Sequence, residues 1–91
     1  MGRETTLFSS KETKARGEAS AFLRHLADRL DSGQIRLRRG EEELVLSLPE
    51  RVILEVKVED EEKRHKGTQH SLEVELKWFD DMGSASGLEL A

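Results

Sequence analysis

Cysteine is absent from the 91 residues, which excludes disulfide frameworks, zinc–thiolate centres and thiol chemistry. Aromatic side chains are almost absent too. Only Phe8, Phe22, Trp78 and Phe79 occur, too few to build the stacking platforms on which single-stranded nucleic acids are held. Long hydrophobic runs are missing: Leu44-Val45-Leu46 and Val52-Ile53-Leu54 are the longest, far short of a membrane-spanning helix or a signal-peptide core. The expected compartment is therefore the cytoplasm. Nor is there an excess of positive charge. With 15 basic against 19 acidic residues the net charge is −4 and the pI about 5.4, so no general attraction to nucleic acid or anionic lipid follows.

What is present is alternation. Ser71-Leu72-Glu73-Val74-Glu75-Leu76-Lys77-Trp78-Phe79 alternates apolar and charged residues without a break from Leu72 up to the single tryptophan. Successive strand side chains point to opposite faces, so Leu72, Val74, Leu76 and Trp78 share one side and Glu73, Glu75 and Lys77 the other. This predicts a half-buried antiparallel strand. Ile35 and Leu37, then Leu44, Leu46 and Leu48, then Val52, Leu54, Val56 and Val58 repeat the pattern in three earlier strands. Arg3 to Phe8 reads as a short first strand.

Between that first strand and the others lies a helix. Ser9 and Glu12 have the spacing of a capping box, and Gly33 suits the left-handed residue that closes a helix. Ala15, Ala19, Phe22, Leu23, Leu26 and Leu30 form one apolar stripe. Gly17 then falls mid-helix on the outer face, where it is unfavourable by about 1 kcal/mol relative to alanine and is a candidate contact point for a partner.

The predicted architecture is α+β: an N-terminal strand, one amphipathic helix, and a four-stranded antiparallel meander with the helix packed on one face. The expected core is the helix stripe with the inward residues of the strands, Trp78 included. A loop over Arg39 to Glu42 sets Arg38 opposite Glu43 and Leu37 opposite Leu44, and a connection over Pro49 to Arg51 sets Leu48 opposite Val52. Glu59 to His70, nearly all charged or polar, is expected to be a mobile, solvated loop. One domain should span residues 3–79, and 80–91, which contains Gly-Ser-Ala-Ser-Gly, should be a disordered tail.

The capped helix ending near Gly33, the amphipathic strands and the terminal Leu72-Glu73-Val74-Glu75-Leu76-Lys77-Trp78 resemble the amphi-Trp domain of bacteria and archaea, over roughly Glu4 to Trp78. The resemblance implies the compact fold already inferred. It carries over no catalytic residues and no assigned reaction.

Candidate chemistry is sparse. His65 and His70 lie amid Glu59, Asp60, Glu61 and Glu62, but a flexible loop fixes no coordination geometry, and no metal or cofactor site is assigned. His25 sits off the helix stripe as a surface residue. Glu73 and Glu75 lack the burial that would split their pKa values for acid–base work, and no serine has a paired base. The chain is expected not to be an enzyme.

Two binding readings remain. Arg36, Arg38 and Arg39, with Lys63, Arg64 and Lys66, are the residues a nucleic-acid-binding accessory protein would use, but each group has acidic residues nearby. The favoured reading is a noncatalytic protein-interaction module that self-associates or binds an unknown protein. A chain this small buries only roughly 60% of its unfolded surface, so its own stability is marginal. Its expected surface is Val45, Ile53 and Phe79, with Gly17 as a second contact. Placing Glu55 opposite Lys77 and Lys57 opposite Glu75 pairs unlike charges and sets Ile53 opposite Phe79, and the Pro49 turn brings Val45 diagonally beside Ile53.

Overall fold

The computed structural model describes residues 2–80, and the expected tail from 81 onward lies outside them. The elements run α1 (Arg16–Ser32), β1 (Gln34–Arg39), β2 (Glu42–Ser47), β3 (Ile53–Lys63) and β4 (Gly67–Lys77). One helix and antiparallel strands make the chain α+β, as the patterning predicted. The chain divides after Leu48 into two compact units.

The first unit is the helix and a hairpin. Its helix starts later than the Ser9–Glu12 spacing suggested. Ala15 is the N-cap, and Glu18 reaches back so that its carboxylate accepts the Ala15 N–H at 3.1 Å. Ser9 lies six residues before the N-cap, its carbonyl accepting Arg39 Nη1 at 2.7 Å, and Glu12 is paired with Lys14 at 3.2 Å. Residues 2–15 also form no strand, which corrects the expected first strand. The Phe8 ring instead lies under the Arg39 guanidinium, 5.7 Å from ring centre to Cζ.

The helix ends where the sequence said it would. Gly33 takes φ 85°, a conformation glycine adopts without steric penalty, and its N–H donates to the Leu30 carbonyl at 3.0 Å. The chain turns directly into β1, against which α1 packs. β1 pairs antiparallel with β2, Leu37 opposite Leu44 and Arg38 opposite Glu43, in the predicted register. The ladder runs one pair further than expected, to Arg39 and Glu42, and closes on Gly40 and Glu41. At its other end Leu48 N–H donates to the Gly33 carbonyl at 2.9 Å, which ties the helix terminus to the end of β2.

The second unit is one long hairpin. β3 and β4, each 11 residues, pair antiparallel from Ile53–Lys77 to Lys63–Gly67. The charged segment expected to be a loop is therefore mostly strand, and only Arg64, His65 and Lys66 turn. Charged residues can form a strand when both faces are wet, and here the polar pairs match across the ladder: His70 Nδ1 lies 2.6 Å from Asp60 Oδ1. His65 at φ 68° and Gly67 at φ 81° close the turn, helped by the Lys66 N–H donating to the Lys63 carbonyl at 3.2 Å.

The strands form two two-stranded sheets, β1–β2 and β3–β4, which corrects the expected four-stranded meander. Leu48, which was to pair with Val52, is instead bonded to Gly33, and Pro49 has no N–H to offer a ladder. The core is correspondingly small. Ile35, 6% exposed, is the one buried hydrophobic residue among the described residues. Leu26, Leu30, Leu37, Leu44, Leu46, Leu48, Val52, Leu76 and Trp78 are half-buried. Ala15, Ala19, Phe22, Leu23, Leu54, Val56, Val58, Leu72 and Val74, all expected in the core, are exposed. A two-stranded ribbon is too narrow to shelter a full helix stripe, and its own apolar face needs a further layer. No described helix is long and apolar enough to cross a membrane.

Candidate interaction surface

The two faces of the β3–β4 hairpin differ sharply. On one, the register sets Leu54 beside Leu76, Val56 beside Val74 and Val58 beside Leu72. Beyond these three apolar rows the same face continues into Asp60 with His70 and Glu62 with Thr68. Leu54, Val56, Val58, Leu72 and Val74 are each 61 to 72% exposed. Contiguous apolar side chains on a wet face mark an interaction site far more often than scattered ones do.

The opposite face is a lattice of charge. Its register differs from the predicted one by two residues: Ile53 faces Lys77, Glu55 faces Glu75 and Lys57 faces Glu73. Two glutamates directly opposite repel, but Lys77 reaches diagonally to the Glu55 carboxylate and stands 3.8 Å from Glu75. Hydrogen bonding from the Lys77 ammonium, then its charge, holds the Glu55 carboxyl below its ordinary value of 4.5; the same pair raises Lys77 above 10.5. The diagonal pair supplies the charge compensation that direct opposition was expected to supply. The turn then decides the register, because this alignment leaves a three-residue loop with Gly67 at its closing position.

This alignment also redraws the surface expected at Val45, Ile53 and Phe79. All three are exposed, at 43, 38 and 69% respectively. Phe79 lies beyond the end of β4 and does not face Ile53, and β2 and β3 belong to different sheets, so no ladder ties Val45 to Ile53. Gly17 is not mid-helix but the second helical residue, where its N–H has no intrahelical partner in any case, and a Cβ there would meet nothing within 4 Å.

The basic residues are largely engaged with acids. Glu43 lies 3.5 Å from Arg36 and 3.4 Å from Arg38, Glu42 lies 3.2 Å from Arg39, and Glu61 lies 3.3 Å from Lys63. Arg64 and Lys66 stand in the exposed turn of the long hairpin. His25 is exposed on α1 and His70 is turned to Asp60. Among the described residues, no three histidine, aspartate or glutamate side chains converge as metal ligands would.

The model of the Amphi-Trp domain matches residues 1–91. The chain belongs to the Amphi-Trp domain family. No curated protein and no solved structure matches it. In this Amphi-Trp domain the amphipathic segment is β4 with its partner β3, and the tryptophan, Trp78, follows the last strand residue, Lys77, half-buried. The exposed apolar rows were legible as alternation in the sequence. Their exposure was not, because alternation reports which face is apolar and not whether anything covers it.

Proposed function

We infer that this Amphi-Trp domain is a noncatalytic protein-interaction module that self-associates and works in the cytoplasm. One observation carries the reading: Ile35 alone is buried among the described residues, while five of the six side chains in the three apolar rows along β3–β4 are open to solvent. A lone hairpin is marginal in water, and each exposed Leu or Val gains roughly 1.5–3 kcal/mol when fully covered. Association supplies the missing layer. The nucleic-acid reading has less support, because Arg36, Arg38, Arg39 and Lys63 already face carboxylates.

Sedimentation equilibrium of the full chain tests the reading, with an oligomer expected at micromolar concentration. A strictly monomeric chain that shifts the mobility of DNA or RNA, with binding that weakens as salt rises, would replace it with the nucleic-acid reading.

A further inference from the structure

We propose that the apolar face of the β3–β4 hairpin is a two-fold dimer interface, occupied by the same face of a second copy with its strands running in the same direction. The inference rests on the self-association reading and adds to it the surface and its geometry. A two-fold axis parallel to the strands sets each β3 over β4 of the other copy. Val56 then falls over Val74 of the partner subunit and Val58 over Leu72 of the partner subunit, so apolar rows meet apolar rows. The next row brings Asp60 over His70 of the partner subunit, an acid over a base, repeating between copies the pairing seen within one. Turning the second copy end for end would match the apolar rows alone and leave both Asp60–His70 rows beyond the contact.

Area and charge favour a second copy as the occupant. Five exposed Val and Leu side chains amount to roughly 300–600 Å² of apolar surface, the size of a monomer's largest patch, which is often functional. A stable interface takes about 800 Å² from each partner, which the polar row helps to reach. Each copy carries a net charge of −4, so like copies repel except where charge is sparse. The apolar rows are that place, while Glu55, Glu73 and Glu75 stay on the far face in water. Facing sheets of this kind stack about 10 Å apart with strands nearly aligned.

The test is sedimentation of the full chain and of a Val56→Lys/Val74→Lys variant, with circular dichroism as the folding check. A dimeric wild type and a folded variant at least tenfold weaker in association are expected. A Glu73→Ser/Glu75→Ser variant should stay dimeric. A folded lysine variant that remains fully dimeric overturns the face but leaves self-association standing. A strictly monomeric wild type overturns both. Should the lysine variant fail to fold, cysteine pairing decides, since the chain has no cysteine of its own. A mass-tagged Val58→Cys chain mixed with a Leu72→Cys chain should be joined mainly as the mixed pair by a bis-maleimide linker that spans roughly the 10 Å between facing sheets. Random pairing, or none, overturns the geometry.

Discussion

Truncating Ile35 to alanine should destabilise the helix–hairpin unit severely. Its side chain is 6% exposed at the start of β1, under α1. The change removes three buried carbons, worth about 2.4 kcal/mol at 0.8 kcal/mol each, and the void left behind raises the total to roughly 3–4 kcal/mol. At 0.05–0.15 kcal/mol per residue, a unit of about 45 residues is stable by only roughly 2–7 kcal/mol. Ile35→Ala should therefore leave α1 largely unfolded at 37 °C, and Ile35→Val, losing one carbon, should cost about 0.5–1.5 kcal/mol. Urea titration followed by ellipticity at 222 nm measures both, since α1 is the helical signal of the described residues. A cost below about 1 kcal/mol for Ile35→Ala, with the helix intact, would refute the view that this residue is the centre of the unit's core.

The Glu55 carboxyl should titrate below the ordinary glutamate value of 4.5 when followed by carboxyl carbon NMR, and Lys77→Ala should raise it back towards that value. Because the folded pKa of Glu55 is depressed, the pair's contribution is present above pH 4.5 and is lost as pH falls through the lowered value. Lys77, raised above 10.5, keeps its contribution below that pH and loses it as pH climbs through the raised value. Gly17→Ala should raise the melting temperature slightly, by less than the equivalent of 1 kcal/mol, because the first helical turn has room for a methyl group. Gly67→Val should weaken the long hairpin by 1 kcal/mol or more, since φ 81° is strained for a β-branched residue; faster amide exchange across Asp60–His70 would report it.

How much of this was legible in the sequence depended on whether one residue could decide the matter alone. Gly33 could, because few other residues tolerate its conformation, and the helix stop and the β1–β2 register followed from it and from the Leu37–Leu44 match. The helix start depended on two rival acids at equal spacing, Glu12 after Ser9 and Glu18 after Ala15. The Ala15–Glu18 pair is the one used, and the Ser9 carbonyl bonds Arg39, 30 residues away. Asp60 and His70 read as loop because polarity alone does not separate a solvated strand from disorder; Gly67, directly after the charged run, is the hairpin signal in that segment. Directly opposed charges do not fix the β3–β4 register, because Lys77 serves Glu55 from the diagonal. Of the candidate surface, Val45, Ile53, Phe79 and Gly17 are all exposed, yet the larger apolar area lies on the face assigned to the core.

The pairing of every strand with its immediate sequence neighbour has a kinetic consequence. The ladders of the two hairpins are closed by turns of two and three residues, so no long stretch of chain must be searched before a contact forms. Hairpins of this sort form in about 1–10 µs and helices faster still, and contacts this local belong to the quickest folders. Self-association, by contrast, waits on encounter and scales with concentration. A freshly made chain would therefore complete its secondary structure long before it meets a second copy, and dilution would slow only the later step.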